Sequence, residues 1–246
     1  MALLLGMTFS AQAFDYEWPT NPVIGVIGAS SVDCSLPLNT PLLGVGFAGC
    51  SYEALEKKLT KNKDLQKLGF TIQSTAQAGS RSHDVPGTDW LGYSSQLHQL
   101  NMTTTWFDGV QRLKYLVVGI PNDCVHSLPC TVNDMQATID NVKQAVSSAT
   151  QAGVTVMMNA YPDWVDLDLQ AAAMAFGLTN IISEEDYVVL TQMHRDQISV
   201  MPGVVYVDAW QGNYTTVDGL HPKDVNQIEA AKRIAKIIKD LEKDKY

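Results

Sequence analysis

Asp218 and His221 stand three residues apart in the run Asp218-Gly219-Leu220-His221-Pro222. A carboxylate at that spacing, on a loop ahead of a helix, reaches the ring Nδ1 of the histidine. It fixes the tautomer and leaves Nε2 free to take a proton. A base needs a nucleophile, and one stands towards the other end of the chain. There the apolar run Val23-Ile24-Gly25-Val26-Ile27 breaks at Gly28-Ala29-Ser30-Ser31. Between the two lie Gly79, in Gln77-Ala78-Gly79-Ser80, and Asn122, in Gly119-Ile120-Pro121-Asn122-Asp123. Serine, glycine, asparagine and histidine in that order, each after an apparent strand, point to hydrolysis of an ester.

A serine hydroxyl is a poor nucleophile at neutral pH unless an adjacent base removes its proton during attack. Neutral imidazole suits that task because its pKa lies near working pH. Attack on an ester carbonyl places negative charge on oxygen, and donors fixed in advance at that oxygen stabilise it. The Ser30 N–H, the Gly79 N–H and the Asn122 side-chain amide could supply three. Each position also has a plainer reading. Ser30 and Gly79 could be turn residues, with Ser31 as the reactive hydroxyl, although the Gly-x-Ser spacing favours Ser30. Asn122 could form an Asx turn, Asp218 could cap the last helix, and Asp123 could hold loops together. His83, His98, His126 and His194 have no carboxylate in a comparable setting and read as surface or structural residues. Trp90, Trp210 and Tyr214, near these blocks, could wall a substrate pocket or belong to the core.

These residues need a scaffold that gathers them. Apolar runs at Pro22–Ile27, Phe70–Gln73, Leu113–Ile120, Val154–Ala160 and Val204–Asp208 read as strands. Helical patterns separate them, over about 52–67, 90–100, 165–176 and 183–197. Another follows Thr131-Val132-Asn133-Asp134, which has the form of a capping box. The last begins near Pro222 and carries Val225, Ile228, Ala231, Ile238 and Leu241 on one stripe. Strands alternating with helices of this length predict an α/β fold with a parallel sheet covered on both faces. In such sheets ligands gather at the carboxyl ends of the strands.

With 246 residues, 17% of them charged, and a formal charge of −9, the chain has no basic face to suit nucleic acid. No internal segment is long and apolar enough to span a membrane. The N-terminal Met1-Ala2-Leu3-Leu4-Leu5-Gly6-Met7-Thr8-Phe9-Ser10-Ala11-Gln12-Ala13 ends in Ala-x-Ala. It reads as the remnant of a signal peptide (1–13) without its positive start, or as a poorly ordered apolar terminus. One domain, 14–246, would follow. Four cysteines fit a secreted or periplasmic protein; they allow three pairings, and locality favours Cys34 with Cys50 and Cys124 with Cys130. Four free buried thiols are the alternative, and the spacing does not suit a metal site.

Together, Gly28-Ala29-Ser30, Gly79, Asn122-Asp123 and Asp218-Gly219-Leu220-His221 resemble the SGNH (GDSL-type) esterase/lipase hydrolase family over about 200 residues, from Ser30 to the last helix. The resemblance implies a three-layer α/β/α sandwich around a five-stranded parallel sheet in flavodoxin-like order. It implies Ser30 as nucleophile, His221 as base and Asp218 as its orienting acid, with Ser30, Gly79 and Asn122 forming the oxyanion hole. It also implies esters of small molecules, lipids or acylated sugars as substrates, and no metal or organic cofactor. Two departures stand out. Ala29 replaces the aspartate of Gly-Asp-Ser, and Gly119-Ile120-Pro121-Asn122-Asp123 is one residue longer than Gly-x-Asn-Asp. An acyltransferase would use the same triad, and a non-catalytic binding protein could keep the same fold. Chain length of the acyl group and oligomeric state have no signature in the sequence.

Overall fold

The computed structural model describes residues 21–32, 54–105, 109–125, 130–176, 181–212 and 214–244. Five strands, β1 (Val23–Ile27), β2 (Thr71–Ser74), β3 (Leu113–Val118), β4 (Thr155–Asn159) and β5 (Val204–Val207), form one sheet. Their order is β2-β1-β3-β4-β5 and every neighbouring pair is parallel. Among the described residues seven α-helices accompany them: α1 (Leu55–Thr60), α2 (Lys63–Lys67), α3 (Tyr93–Thr105), α4 (Val132–Gln151), α5 (Leu169–Phe176), α6 (Glu184–Ile198) and, after β5, α7 (Asp224–Lys243).

All five residues of β1 are buried, because a parallel strand covered on both faces has no solvent side. Ile24 and Val26 pack with Tyr115, Val117 and Met157 beneath Leu55, Leu59, Ile234 and Ile238, on the side of α1 and α7. Val23 and Ile27 face the other way, with Leu116, Val118, Leu97, Leu100, Val142 and Val146, under α3 and α4. The result is a layer of helices on each face, as expected. The chain steps outward from β1 to β2 and then crosses back to β3, so a crevice opens at the carboxyl ends of β1 and β3. In open α/β sheets this switch point is where ligands sit.

Three helices differ from their expected spans, each for an identifiable reason. The single helix over 52–67 is two, since Asn62 accepts hydrogen bonds from Asp64 N and Leu65 N and so caps α2 afresh. The helix over 90–100 starts only at Tyr93. Trp90, Leu91 and Gly92 are held outside it by bonds from Trp90 Nε1 to Ala78 O, Leu91 N to Gln77 Oε1 and Gly92 N to Asp84 Oδ1. The helix over 165–176 is a 3₁₀ turn, Trp164–Asp166, followed by α5. The capping box at Thr131 and Asp134 is present as expected. Cys124 and Cys130 form a disulfide, with Cα atoms 5.3 Å apart, directly ahead of that cap. Cys34, Cys50, His126 and the 1–13 segment lie outside the described residues.

Removing the Asn62 side chain leaves two amide groups of α2 without their partner. Asn62→Ala is expected to destabilise the protein by about 1 kcal/mol, read as a lower urea midpoint with an unchanged slope. An unchanged midpoint would show that α1 and α2 do not depend on this cap.

Candidate active site

β1 ends at a turn whose Gly28 peptide groups are held by α3 and a neighbouring loop. Gly28 takes φ +134°, and a Cβ there would meet the Gly119 backbone at 2.9 Å, so only glycine allows the two chains to approach. The side chain of Gln96, wholly buried on α3, holds Gly28 twice: Oε1 accepts from Gly28 N at 2.7 Å, and Nε2 donates to Gly28 O at 3.2 Å. Gln77 N and Ser80 Oγ donate to the same carbonyl. The loop that carries Gly79 is thereby fastened to the turn that carries Ser30. Ala29 is fully buried, so a carboxylate in its place would need its own buried partner.

Ser30 Oγ lies 2.6 Å from His221 Nε2. His221 Nδ1 lies 2.7 Å from Asp218 Oδ2, and Asp218 Oδ1 accepts from the His221 and Leu220 backbone N–H groups at 2.8 and 3.1 Å. The three side chains form one hydrogen-bonded row with Ser30 and His221 both mostly buried. Burial pushes the Asp218 pKa up, but hydrogen bonds and charge from His221 and the bond from Leu220 N outweigh it, and the carboxyl titrates below its ordinary value. Asp218 therefore serves His221, not α7, whose N-cap Lys223 makes no side-chain bond. Ser31 Oγ is buried without a hydrogen-bond partner among the described residues, whereas Ser30 Oγ is the hydroxyl that meets His221 Nε2. Gln227 of α7 donates to Ser31 O at 2.9 Å and ties the helix behind His221 to the Ser30 turn.

Ser30, His221 and Asn122 line one small cavity of about 10 Å³, walled by Ile120, Val125, Tyr161, Leu167, Tyr187 and Tyr214. The Asn122 side-chain amide has no partner within the described residues, and Asn122 is only 6% exposed. Gly79 does not line this cavity. It takes φ +80° over the Trp90 indole, which donates to Ala78 O, and the Gly79 N–H has no acceptor among the described residues. Of the three aromatic residues expected at the pocket, Tyr214 lines it. Trp90 and Trp210 do not: Trp90 braces the Gly79 loop, and Trp210 is buried with its indole N–H turned to Gln227 Oε1. A buried indole goes where its single donor finds an acceptor.

Asp123 joins two of these loops, accepting from Ser82 N and Ser82 Oγ at 2.8 Å and lying 3.1 Å from His83 Nδ1. His83 thus has a carboxylate beside it after all, supplied by a distant loop. His98 is exposed on α3, and His194 is buried, which lowers its pKa to about 3 and keeps it neutral. Gln96, Gln227 and Tyr161 carry no mark in the sequence as site residues. For Gln96 the only signal is its place among Tyr93, Leu97 and Leu100 on the buried side of α3. Among the described residues no cluster of three His, Cys, Asp or Glu side chains could hold a metal, and no helix is long and apolar enough to cross a membrane.

No family model matches the sequence, and no curated protein matches it. Solved structures share its fold. The native aryl esterase of M. smegmatis is 17% identical with a TM-score of 0.61, over 89% of this chain and 99% of that one. A carbohydrate acetylesterase family member from Sinorhizobium meliloti is 13% identical with a TM-score of 0.57, over 88% and 97%. A protein from Slackia heliotrinireducens assigned to the SGNH hydrolases is 15% identical with a TM-score of 0.55, over 89% and 99%. At these identities the likeness is one of architecture: the chain has an SGNH-type esterase fold.

The depressed Asp218 pKa has a pH signature. Its stabilising contribution is complete above the unfolded value of about 3.9 and is lost as pH falls through the lower folded value. The stability difference between wild type and Asp218→Asn, from urea unfolding, is expected to shrink steadily below about pH 4. A difference that grows in acid would contradict that assignment.

Proposed function

On an SGNH-type esterase fold whose Ser30, His221 and Asp218 are bonded in a row, we propose a serine esterase acting on carboxylic esters. The 2.6 Å contact between Ser30 Oγ and His221 Nε2 carries this reading. Ser30 Oγ attacks the ester carbonyl carbon while its proton passes to His221 Nε2. Asp218 holds the Nδ1 proton and stabilises the imidazolium that forms. The carbonyl oxygen, now negative, is received by the Ser30 N–H, the Gly79 N–H and the Asn122 side-chain amide. Collapse expels the alcohol, which takes the proton back from His221 and leaves an acyl-Ser30. Water, deprotonated by His221, then repeats the sequence and frees the acid.

The cavity beside Ser30 has room for about one water-sized group, which supports short acyl chains such as acetyl. The solved structures of similar fold, described as an aryl esterase and a carbohydrate acetylesterase family member, support ester substrates of small-molecule or acylated-sugar type. We place the activity in a single catalytic domain, 14–246, of a secreted or periplasmic protein. The Cys124–Cys130 disulfide supports that compartment.

Wild type is expected to hydrolyse p-nitrophenyl acetate faster than the butyrate or octanoate esters. Ser30→Ala should stay folded and lose turnover. Asp218→Asn should lower kcat by about 10⁴-fold, and Asn122→Ala by about 10²–10³-fold with KM little changed. A Ser30→Ala protein that still turns over the acetate would dispose of this function.

A further inference from the structure

Gly119-Ile120-Pro121-Asn122 is one residue longer than the family pattern, and Pro121 has no N–H with which to anchor itself. Tyrosine hydroxyls hold the segment instead. Tyr93, fully buried, donates to Gly119 O at 3.0 Å, and Tyr161 donates to Pro121 O at 2.9 Å. The second bond matters more for chemistry. The Pro121 carbonyl belongs to the same planar peptide unit as the Asn122 nitrogen, so fixing that oxygen fixes the plane from which the Asn122 side chain departs.

The Tyr161 ring is itself confined. It meets the Tyr187 ring edge-on, with centroids 5.9 Å apart at 84°, and the His194 ring at 5.1 Å and 85°. His194 is oriented in turn by Tyr206, whose hydroxyl lies 2.8 Å from Nδ1. Tyr161 stands just past β4, where Ala160 N donates to Val207 O and extends the ladder to β5. The phenol is therefore anchored to the sheet at its base and boxed by two rings along its length.

We infer that Tyr161 is the positioning residue for Asn122: through the Pro121 carbonyl it aims the Asn122 amide at the carbonyl oxygen of a substrate seated on Ser30. The extra residue in the 119–122 segment and the Tyr161 hydroxyl then form one device, the clamp restoring an aim that the longer segment would lose. The inference rests on the oxyanion role proposed for Asn122.

Tyr161→Phe removes the hydroxyl and keeps the ring. With p-nitrophenyl acetate it is expected to lower kcat by about 10–100-fold, as a small misplacement of a catalytic group does, with KM within about threefold. In an Asn122→Ala background the same change should cost less than about threefold, because the two residues act as one unit. Losses that multiply in the double variant, or an undiminished kcat in Tyr161→Phe, would overturn the clamp. Pro121→Gly loosens the same peptide from its other side and should show the same kcat-only loss and the same masking, which serves if Tyr161→Phe does not fold. A reading independent of activity comes from ¹⁵N–¹H spectra: the Asn122 side-chain amide, identified by its disappearance in Asn122→Ala, should shift in Tyr161→Phe, and an unmoved signal would refute the clamp. Failure of the function beneath it looks different, since Ser30→Ala or Asn122→Ala would then keep full rate.

Discussion

Gln96 holds one peptide unit, that of Gly28, by both its N–H and its C=O. The turn after β1 must leave the sheet sharply, and in doing so it removes Gly28 from the ladder that satisfied the residues before it. A buried amide side chain has one acceptor oxygen and two donor hydrogens. Gln96 Oε1 accepts from Gly28 N, and its two Nε2 hydrogens serve three acceptors, Leu91 O at 2.8 Å and, sharing, Ser80 Oγ and Gly28 O at 3.1 and 3.2 Å. Without that grip the Gly28 N–H would be buried unpaired, at a cost of about 1–3 kcal/mol, while its carbonyl would keep Gln77 N and Ser80 Oγ. The position of Ser30 follows from the turn, and the Gly79 loop follows from Ser80 and Gln77, which share the same carbonyl.

Two further ties complete the arrangement around that fixed turn. Asp123 fastens the 80–83 loop to the segment after β3, and Gln227 fastens α7 to Ser31. Each is a buried polar side chain reaching a backbone group in a different loop. Loops at the end of a parallel sheet have few backbone partners of their own, so side chains from the flanking helices and neighbouring loops supply them. The fold provides the crevice between β1 and β3, and these glutamines and one aspartate set the distances within it.

The architecture was legible because the three central strands, β1, β3 and β4, are buried almost throughout and two of them end at residues that break them, Gly28 and Gly119. The row from Ser30 to Asp218 was legible too, since Asp218 and His221 are close in sequence and the serine follows the first strand. Helix breaks were not. Apolar spacing runs straight through Asn62, and only the bonds to Asp64 N and Leu65 N reveal the cap. Trp90 and Trp210 left both readings open, pocket wall or core, and what places them is the acceptor each indole N–H finds, Ala78 O in the Gly79 loop and Gln227 Oε1 on α7. Gln96 and Tyr161 were hidden for a related reason: a helical glutamine reads as solvated, and an aromatic residue after a strand reads as core. Their roles depend on partners 68 and 40 residues away, which no local pattern contains.

Ser30 and His221 are 191 residues apart along the chain. A ribosome adding about 5–20 residues per second would expose the serine turn roughly 10–40 s before the imidazole emerges. During that interval the nascent polypeptide carries the hydroxyl without a proton acceptor beside it. Whatever chemistry the pair performs is thus withheld until the C-terminal segment has been translated and has docked against the sheet.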